Sequence, residues 1–371
     1  MKNFNVYIDF GSSKIRTSAF NKIEQNKFYF TEHKCLSNFK INQLNLLQSE
    51  NIIKKIILEI EKKTGEYLND INLMIDSPES LLVNVSRSKN IEGKKLKKEE
   101  VEYLIQDTKQ QIIKAYKDQH IVHILVTNYN VNGTNYSFIP LNISCNQLYI
   151  DIAFICFPKV FVNSLEKIFS KNNILVNQII FSSYAKTLSY KKKIETSKKI
   201  LFVDIGYEKT SIIFFNEENF AGFNILPIGG NHISKDISKI LHVPLDKAEE
   251  IKLNFDKGEF KNTADLIKKI VFARIEEILE LSVNYLPTQE RQNDLNEIKL
   301  ILMGEGSKIL DTKFKESISF SNDIDLLEES TLDICESGLN LNKGLGNQEV
   351  TVIPKKLEKK GFFERLFHFF K

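Results

Sequence analysis

Residues 3–20 read NFNVYIDFGSSKIRTSAF, and residues 199–215 read KILFVDIGYEKTSIIFF. In each, apolar and β-branched residues flank a short turn, the pattern of a strand, a tight turn and a second strand. An offset of 195 residues lays Asp9 on Asp204, Gly11 on Gly206 and Lys14 on Lys209. Such a repeat predicts two related α/β halves. The hairpins also carry a chemistry. Small turn residues let backbone N–H groups approach phosphate oxygens, and a carboxylate just ahead of the turn can hold a hydrated magnesium ion. One such turn is a weak signal. Two in a repeat, with a further Gly-x-Gly after a strand in ILMGEGSKI (301–309), form a set that ordinary glycine turns do not explain.

Apolar residues recur at helical spacing over 49–63, 97–115 and 160–171, and INLMID (71–76), HIVHILVTNYNV (120–131) and LYIDIAFICF (148–157) read as strands. After the second hairpin come Gly229 and Gly230, a helix over 231–241, and Pro244, which breaks the pattern ahead of LDKAEEIKLNF. A long amphipathic helix is expected over 263–285, then a strand, IKLILM, and a further helical stretch. Residues 338–360, rich in Gly, Asn, Lys and Pro without periodicity, read as a flexible linker.

The 371 residues, 42% apolar and 27% charged, suffice for more than one domain of a soluble protein. No apolar run approaches the ~20 residues that cross a bilayer, and the N-terminal stretch lacks the long apolar region of a signal peptide, so a cytosolic protein is expected. Cys35, Cys145, Cys156 and Cys335 show no paired spacing and are expected as free thiols. His120 and His123 read as core or loop residues, because zinc needs further ligands nearby. Residues 355–371 carry Lys355, Lys356, Lys359, Lys360, Arg365 and Lys371 against Glu358 and Glu364, a net +4; against +3 for the whole chain this leaves −1 for residues 1–354. A near-neutral body argues against nucleic acid as a partner.

The motif set resembles the actin/heat-shock-chaperone ATPase superfamily, and within it the FtsA family of bacterial cell division proteins. PIGGNHISKDIS (227–238), DKAEEIKLNFDKG (246–258), ARIEEILEL (273–281) and DQHIVHILVTNYNVNG (118–133) carry the likeness to FtsA, which extends over nearly the whole chain. It implies an actin-like (ribonuclease H-like) two-domain α/β fold with an inserted IC subdomain and a C-terminal amphipathic helix. Subdomain IA would cover 1–79 and 158–199, IC 80–157, IIA 200–230 and 296–337, and IIB 231–295, with the linker at 338–360 and the membrane-targeting helix at 361–371. In the family IC contacts the next subunit of a filament; the lysine-rich helix at 97–115 could equally be solvated surface.

The resemblance implies ATP and Mg as cofactors. Asp9 would organise the hydrated metal, and Gly11, Ser12, Ser13 and Lys14 the β- and γ-phosphates. Asp204, Gly206, Lys209 and Thr210 would form the second phosphate loop, with Gly229 and Gly230 lining the cleft. Glu249 and Lys252 would reach the ribose and adenine, and Gly304, Gly306 and Ser307 would border the base. Two departures stand out. Tyr207 and Glu208 follow the second loop's glycine where the family has small residues, and Glu305 replaces a usual glycine. A ring restricts a phosphate's approach and a carboxylate repels it. With no well-placed general base, nucleotide binding with slow or absent hydrolysis is expected, and no catalytic residue is assigned.

The chain ends on GFFERLFHFFK (361–371). At ~100° per residue Phe362, Phe363, Leu366, Phe367, Phe369 and Phe370 share one face, and Arg365 and Lys371 lie on the other arc. At ~1.5 Å per residue the segment is too short to span a bilayer, but it can lie in the interface, with cations among anionic headgroups. A final helix docked on the body, or a helix for a protein partner, would use the same pattern. The resemblance implies a polymerising scaffold at the cytoplasmic face of the inner membrane at the septum. Its partners would be itself, anionic lipids, downstream division proteins and the C-terminal tail of FtsZ, which docks on IIB, where Arg274 is a candidate contact or a core-edge residue. The alternatives are a pilus-assembly ATP-binding adaptor and an active ATPase or kinase of the same superfamily.

Overall fold

The computed structural model describes residues 3–23, 27–34, 46–194, 199–217, 219–254, 263–286, 297–310, 323–344 and 349–350. The linker beyond Val350 and the tail at 361–371, with Phe362, Phe363, Arg365, Leu366, Phe367, Phe369, Phe370 and Lys371, lie outside the described residues, as does Cys35.

The fold is α/β, with two sheets built on one plan. In the first, β1 (Phe4–Phe10), β2 (Lys14–Asn21) and β3 (Lys27–Lys34) form an antiparallel meander; β4 (Asp70–Ile75) and β9 (Leu175–Phe181) then add in parallel on the far side of β1. In the second, β10 (Lys199–Ile205), β11 (Thr210–Asn216) and β12 (Asn219–Leu226) form the meander, and β13 (Ile298–Met303) and β14 (Ile324–Leu326) add beside β10. The strand orders β3-β2-β1-β4-β9 and β12-β11-β10-β13-β14 correspond one for one, so the repeat read from the two hairpins is a repeat of topology.

A third, antiparallel sheet of β5 (Leu81–Asn90), β6 (Gln119–Val131), β7 (Thr134–Tyr136) and β8 (Gln147–Pro158), in the order β5-β8-β6-β7, is inserted after β4. Among the described residues the helices are α1 (Leu46–Thr64), α2 (Lys98–Ala115), α3 (Lys159–Ser170), α4 (Ser182–Lys191), α5 (Gly230–Leu241), α6 (Leu245–Asn254), α7 (Ala264–Val283) and α8 (Thr331–Asn342). A 3-10 turn covers Glu305–Ile309.

Strand alternation divides the core. From β10, Ile200 and Phe202 join a core shared with β1, β4, α1 and α4, whereas Leu201, Val203 and Ile205 face Ile233, Ile237, Ile275 and Ile278 of α5 and α7. The first core therefore runs through both halves. On β6 and β8, Ile124, Val126, Phe154 and Cys156 face α2 in a third core, while Leu125, Ile155 and Phe157 face the first.

Two readings change. α4 was not anticipated: its short run SSYAKTLSYK is buried almost all round and shows no amphipathic period. The expected linker from 338 begins as helix, since α8 continues to Asn342. Gly338 serves close packing there, where a Cβ would lie 2.7 Å from Met74 Sδ and 2.9 Å from Tyr7 Cδ1, and Leu339 and Leu341 are buried. Beyond it, Val350 N donates to Ile124 O at 2.9 Å, and Glu349 bridges to Leu125 on β6. His123 is buried; one ring nitrogen accepts from Phe181 N (2.9 Å) and the other donates to Glu349 (2.6 Å), a core role and not a metal site. Cys145, Cys156 and Cys335 are buried free thiols.

Candidate functional site

The two hairpin turns are closed by the same bond. Gly11 N donates to Lys14 O at 3.0 Å, and Gly206 N to Lys209 O at 2.9 Å. A Cβ would meet those carbonyl oxygens at 2.8 and 2.9 Å, which explains the glycine at each position. The turns place Asp9 and Asp204 at the ends of β1 and β10, opposite Arg16 and Ser211 in register.

The N-terminus of α4 lies between them. Ser182 Oγ donates to Asp9 Oδ1 (2.6 Å) and Ser183 Oγ to Asp204 Oδ2 (2.7 Å), so adjacent hydroxyls hold one repeat carboxylate each. One turn on, Lys186 Nζ lies 2.5 Å from Asp204 Oδ2 and 3.3 Å from Glu329 Oε2. Burial opposes the Lys186 charge, but Asp204 and Glu329 overcome it and raise the ammonium's pKa. Asp9 Oδ2 pairs with Arg16 at 3.1 Å. Arg16 and Lys14 each also reach Glu305, at 3.2 Å. Burial pushes the Glu305 carboxyl up, but Lys308, Lys14 and Arg16 outweigh this and bring it to about 2. Asp76 accepts from Ser183 N (3.0 Å) and Ser211 Oγ (3.0 Å), and its carbonyl accepts from the Lys209 ammonium.

The remaining candidates come together on the second half, bonded to one another. Gly230 N donates to Gly206 O (2.8 Å) and Asn231 N to Tyr207 O (2.7 Å), so the first N–H groups of α5 already have acceptors. Gly229 is wedged there, where a Cβ would lie 2.6 Å from Gly206 O and 2.7 Å from Lys209 N. Thr210 Oγ1 donates to Ile228 O (2.7 Å). Lys252 donates to Glu249 (2.7 Å) and Gly230 O (3.0 Å), beneath the Tyr207 ring with its centroid 5.7 Å away, and Glu249 also accepts from Ser234. Gly304 and Gly306 press on the end of β10, and Ser307 Oγ returns to Gly304 O (2.8 Å). Ser12 is buried in the first turn and Ser13 half-buried.

A hydrated magnesium ion needs carboxylate oxygens free to accept from its waters. Here Asp9 accepts from Ser182, Asp76 from Ser211 and Asp204 from Ser183, and Asp9 and Asp204 each pair with a cation as well. No group of three or more His, Cys, Asp or Glu able to hold a metal occurs among the described residues. The Asp9 carboxylate that was expected to organise a hydrated metal is held here by Ser182 and Arg16.

Sequence reasoning missed Arg16, Asp76, Ser182, Ser183, Lys186 and Glu329. Arg16 was open to it, since a turn at 11–13 pairs residue 9 with residue 16. Lys186 stood out less: a lysine amid FSSYA and TLSY is a signal only once the segment is known to be buried. Glu329 is buried, accepting from Gly304 N (3.0 Å) and Tyr190 OH (3.4 Å), and burial raises its carboxyl to about 7 despite Lys186. A carboxyl raised in the fold keeps its proton where the unfolded chain has lost it, so its contribution to stability falls as pH rises from about 4.5 to about 7. The melting temperature of wild type relative to Glu329→Gln is therefore expected to decline across that window and level off above it. Parallel curves in calorimetry would show that Glu329 does not titrate there.

Comparisons with known proteins give a likeness in sequence to one family and a likeness in fold to solved structures. Residues 201–278, from β10 into α7, match the family described as cell division protein FtsA. The FtsA of Buchnera aphidicola (from Acyrthosiphon pisum) is 22% identical over 366 residues, 88% of this chain and 86% of that protein. The FtsA of Helicobacter pylori J99 is 26% identical over 148 residues, 40% of this chain but 30% of that protein, and that of Borreliella burgdorferi is 23% identical, covering 68% and 62%. The chain thus spans less than two thirds of the length of those last two relatives. Among solved structures, the PilM-PilN type IV pilus biogenesis complex superposes with a TM-score of 0.60 at 11% identity, covering 92% of this chain and 96% of that one. MreB5 of Spiroplasma citri bound to ADP gives 0.50 at 11%, covering 93% and 98%. These two show the fold alone. The sequence matches make the chain similar to the cell division protein FtsA, and the structural neighbours show that it is built on the actin-like fold.

Proposed function

We propose that the protein is an FtsA-like scaffold of bacterial division. It would assemble with itself at the cytoplasmic face of the inner membrane, hold the membrane through residues 361–371, and tether FtsZ there. The first two sheets would be IA and IIA, the inserted sheet IC, and α5 to α7 the IIB subdomain. Among the described residues no helix is long and apolar enough to cross a membrane. MreB5 is a nucleotide-bound neighbour of the same fold, but a tether needs no ATP turnover.

The observation that carries the reading is a groove of about 410 Å³ between α5 and α7, in the stretch matched to the FtsA family. Ile240, Ile270 and Ala273 line it beside Lys239, Lys269 and Arg274. Arg274 is held by Asp236 (2.7 Å) and by Glu277. Lys239 and Lys269 are exposed, with no ion-pair partner among the described residues. An extended peptide carrying carboxylates and apolar side chains fits this lining, and Arg274 shapes the wall more than it offers a free charge.

A labelled peptide of the FtsZ C-terminal tail is expected to bind the full chain. Lys239→Glu with Lys269→Glu should weaken it by about tenfold or more, since reversing charges at the site of contact costs ~1.4 kcal/mol or above. Cosedimentation with anionic vesicles should require residues beyond Pro354. Absence of peptide binding, or equal sedimentation of full and shortened chains, would remove the corresponding half of the proposal.

A further inference from the structure

We infer that the cleft between the two halves is shut by the protein's own side chains, with the Lys186 ammonium in the place of a divalent cation beside the paired carboxylates Asp9 and Asp204. The closed arrangement then needs neither nucleotide nor magnesium.

The bonds across the cleft are numerous and chemically matched. From the first half, Lys186 meets Asp204 at 2.5 Å, Ser183 Oγ meets Asp204 at 2.7 Å, and Lys14 and Arg16 meet Glu305 at 3.2 Å. From the second, the Lys209 ammonium donates to Asp76 O and Ser211 Oγ to the Asp76 carboxylate at 3.0 Å. A nucleotide with its metal would join the halves by supplying negative oxygens to lysines and a cation to aspartates. Here Lys14 and Lys186 find carboxylates and Asp9 and Asp204 find cations from within the chain, while Lys209 takes a neutral carbonyl.

Charge and position agree. Lys14, Arg16 and Lys186 pair with Asp9, Asp204 and Glu305, and the Lys209 ammonium is taken up by the Asp76 carbonyl, so a triphosphate would have to displace a partner from each. The N–H groups of Gly230 and Asn231, which at a helix N-terminus would receive a phosphate, are spent on Gly206 O and Tyr207 O. Glu305 occupies the position where a backbone without a side chain would admit the base, and it reaches back across the cleft. The two sequence departures, at Tyr207 and Glu305, thus share one explanation with Lys186: each fills space or charge that a bound nucleotide would otherwise fill.

The test uses the full chain, with spin labels at Leu58→Cys on α1 and Leu253→Cys on α6, both exposed and on opposite halves. Their distance distribution is expected to be narrow and the same in EDTA, in magnesium and in millimolar Mg-ATP, and the melting temperature should not move with Mg-ATP. Glu305→Gly, a change at the half-exposed edge, should broaden the distribution, and Lys186→Ala should broaden it further if the variant folds. A wild-type distance that lengthens on removal of metal and nucleotide would overturn the inference. So would a melting shift with Mg-ATP absent with ATP in EDTA, or a Glu305→Gly distribution identical to wild type. None of these readings involves FtsZ or a membrane, so the inference and the scaffold proposal fail separately.

Discussion

Lys186→Met is expected to lower the unfolding free energy by about 3–5 kcal/mol, the usual cost of removing one member of a buried ion pair. The methionine fills a similar volume, so the loss is electrostatic. Asp204 would keep only its Ser183 hydroxyl, and Glu329 would lose its cation but retain Gly304 N and Tyr190 OH. Because the penalty lies in the stranded Asp204 charge, adding Asp204→Asn should recover a substantial part of it, a coupling that urea denaturation of the two single variants and the double variant measures directly. A single-variant loss under ~1 kcal/mol would mean that water reaches the pair and screens it.

Gly304→Ala is the second large effect, on the order of 3 kcal/mol or more. The residue has φ +88°, and an added Cβ would lie 2.4 Å from Asp204 Oδ1 and 2.6 Å from Ile205 O. Backbone strain and collision act together here, and Gly65→Ala separates them. Gly65 has φ +69° with nothing within 4 Å of the added carbon, so it should cost only about 1 kcal/mol. If the two substitutions cost the same in chemical denaturation, the loop after β13 does not rest on β10 as tightly as described.

The hairpins were legible because their information is local. A turn needs its glycine within three residues, and the strand period is visible in a single stretch. The equal topology of the two halves followed from it. The site was legible only as a list of positions, because what those positions do depends on side chains far away in sequence. Asp9 accepts from Ser182 and Lys209 donates to the Asp76 carbonyl, contacts across long stretches of chain that no local pattern shows. Gly338 shows the same limit for helices: a composition typical of linkers hides a close contact with Tyr7 and Met74 that no local pattern reveals.

The pairing of Glu349 and Val350 with β6 sets a leash for the end of the chain. From Val350 to Gly361 there are about ten intervening residues, which even fully drawn out span no more than ~35–40 Å. If the last eleven residues rest on a lipid surface, the inserted sheet must hover within that height of it.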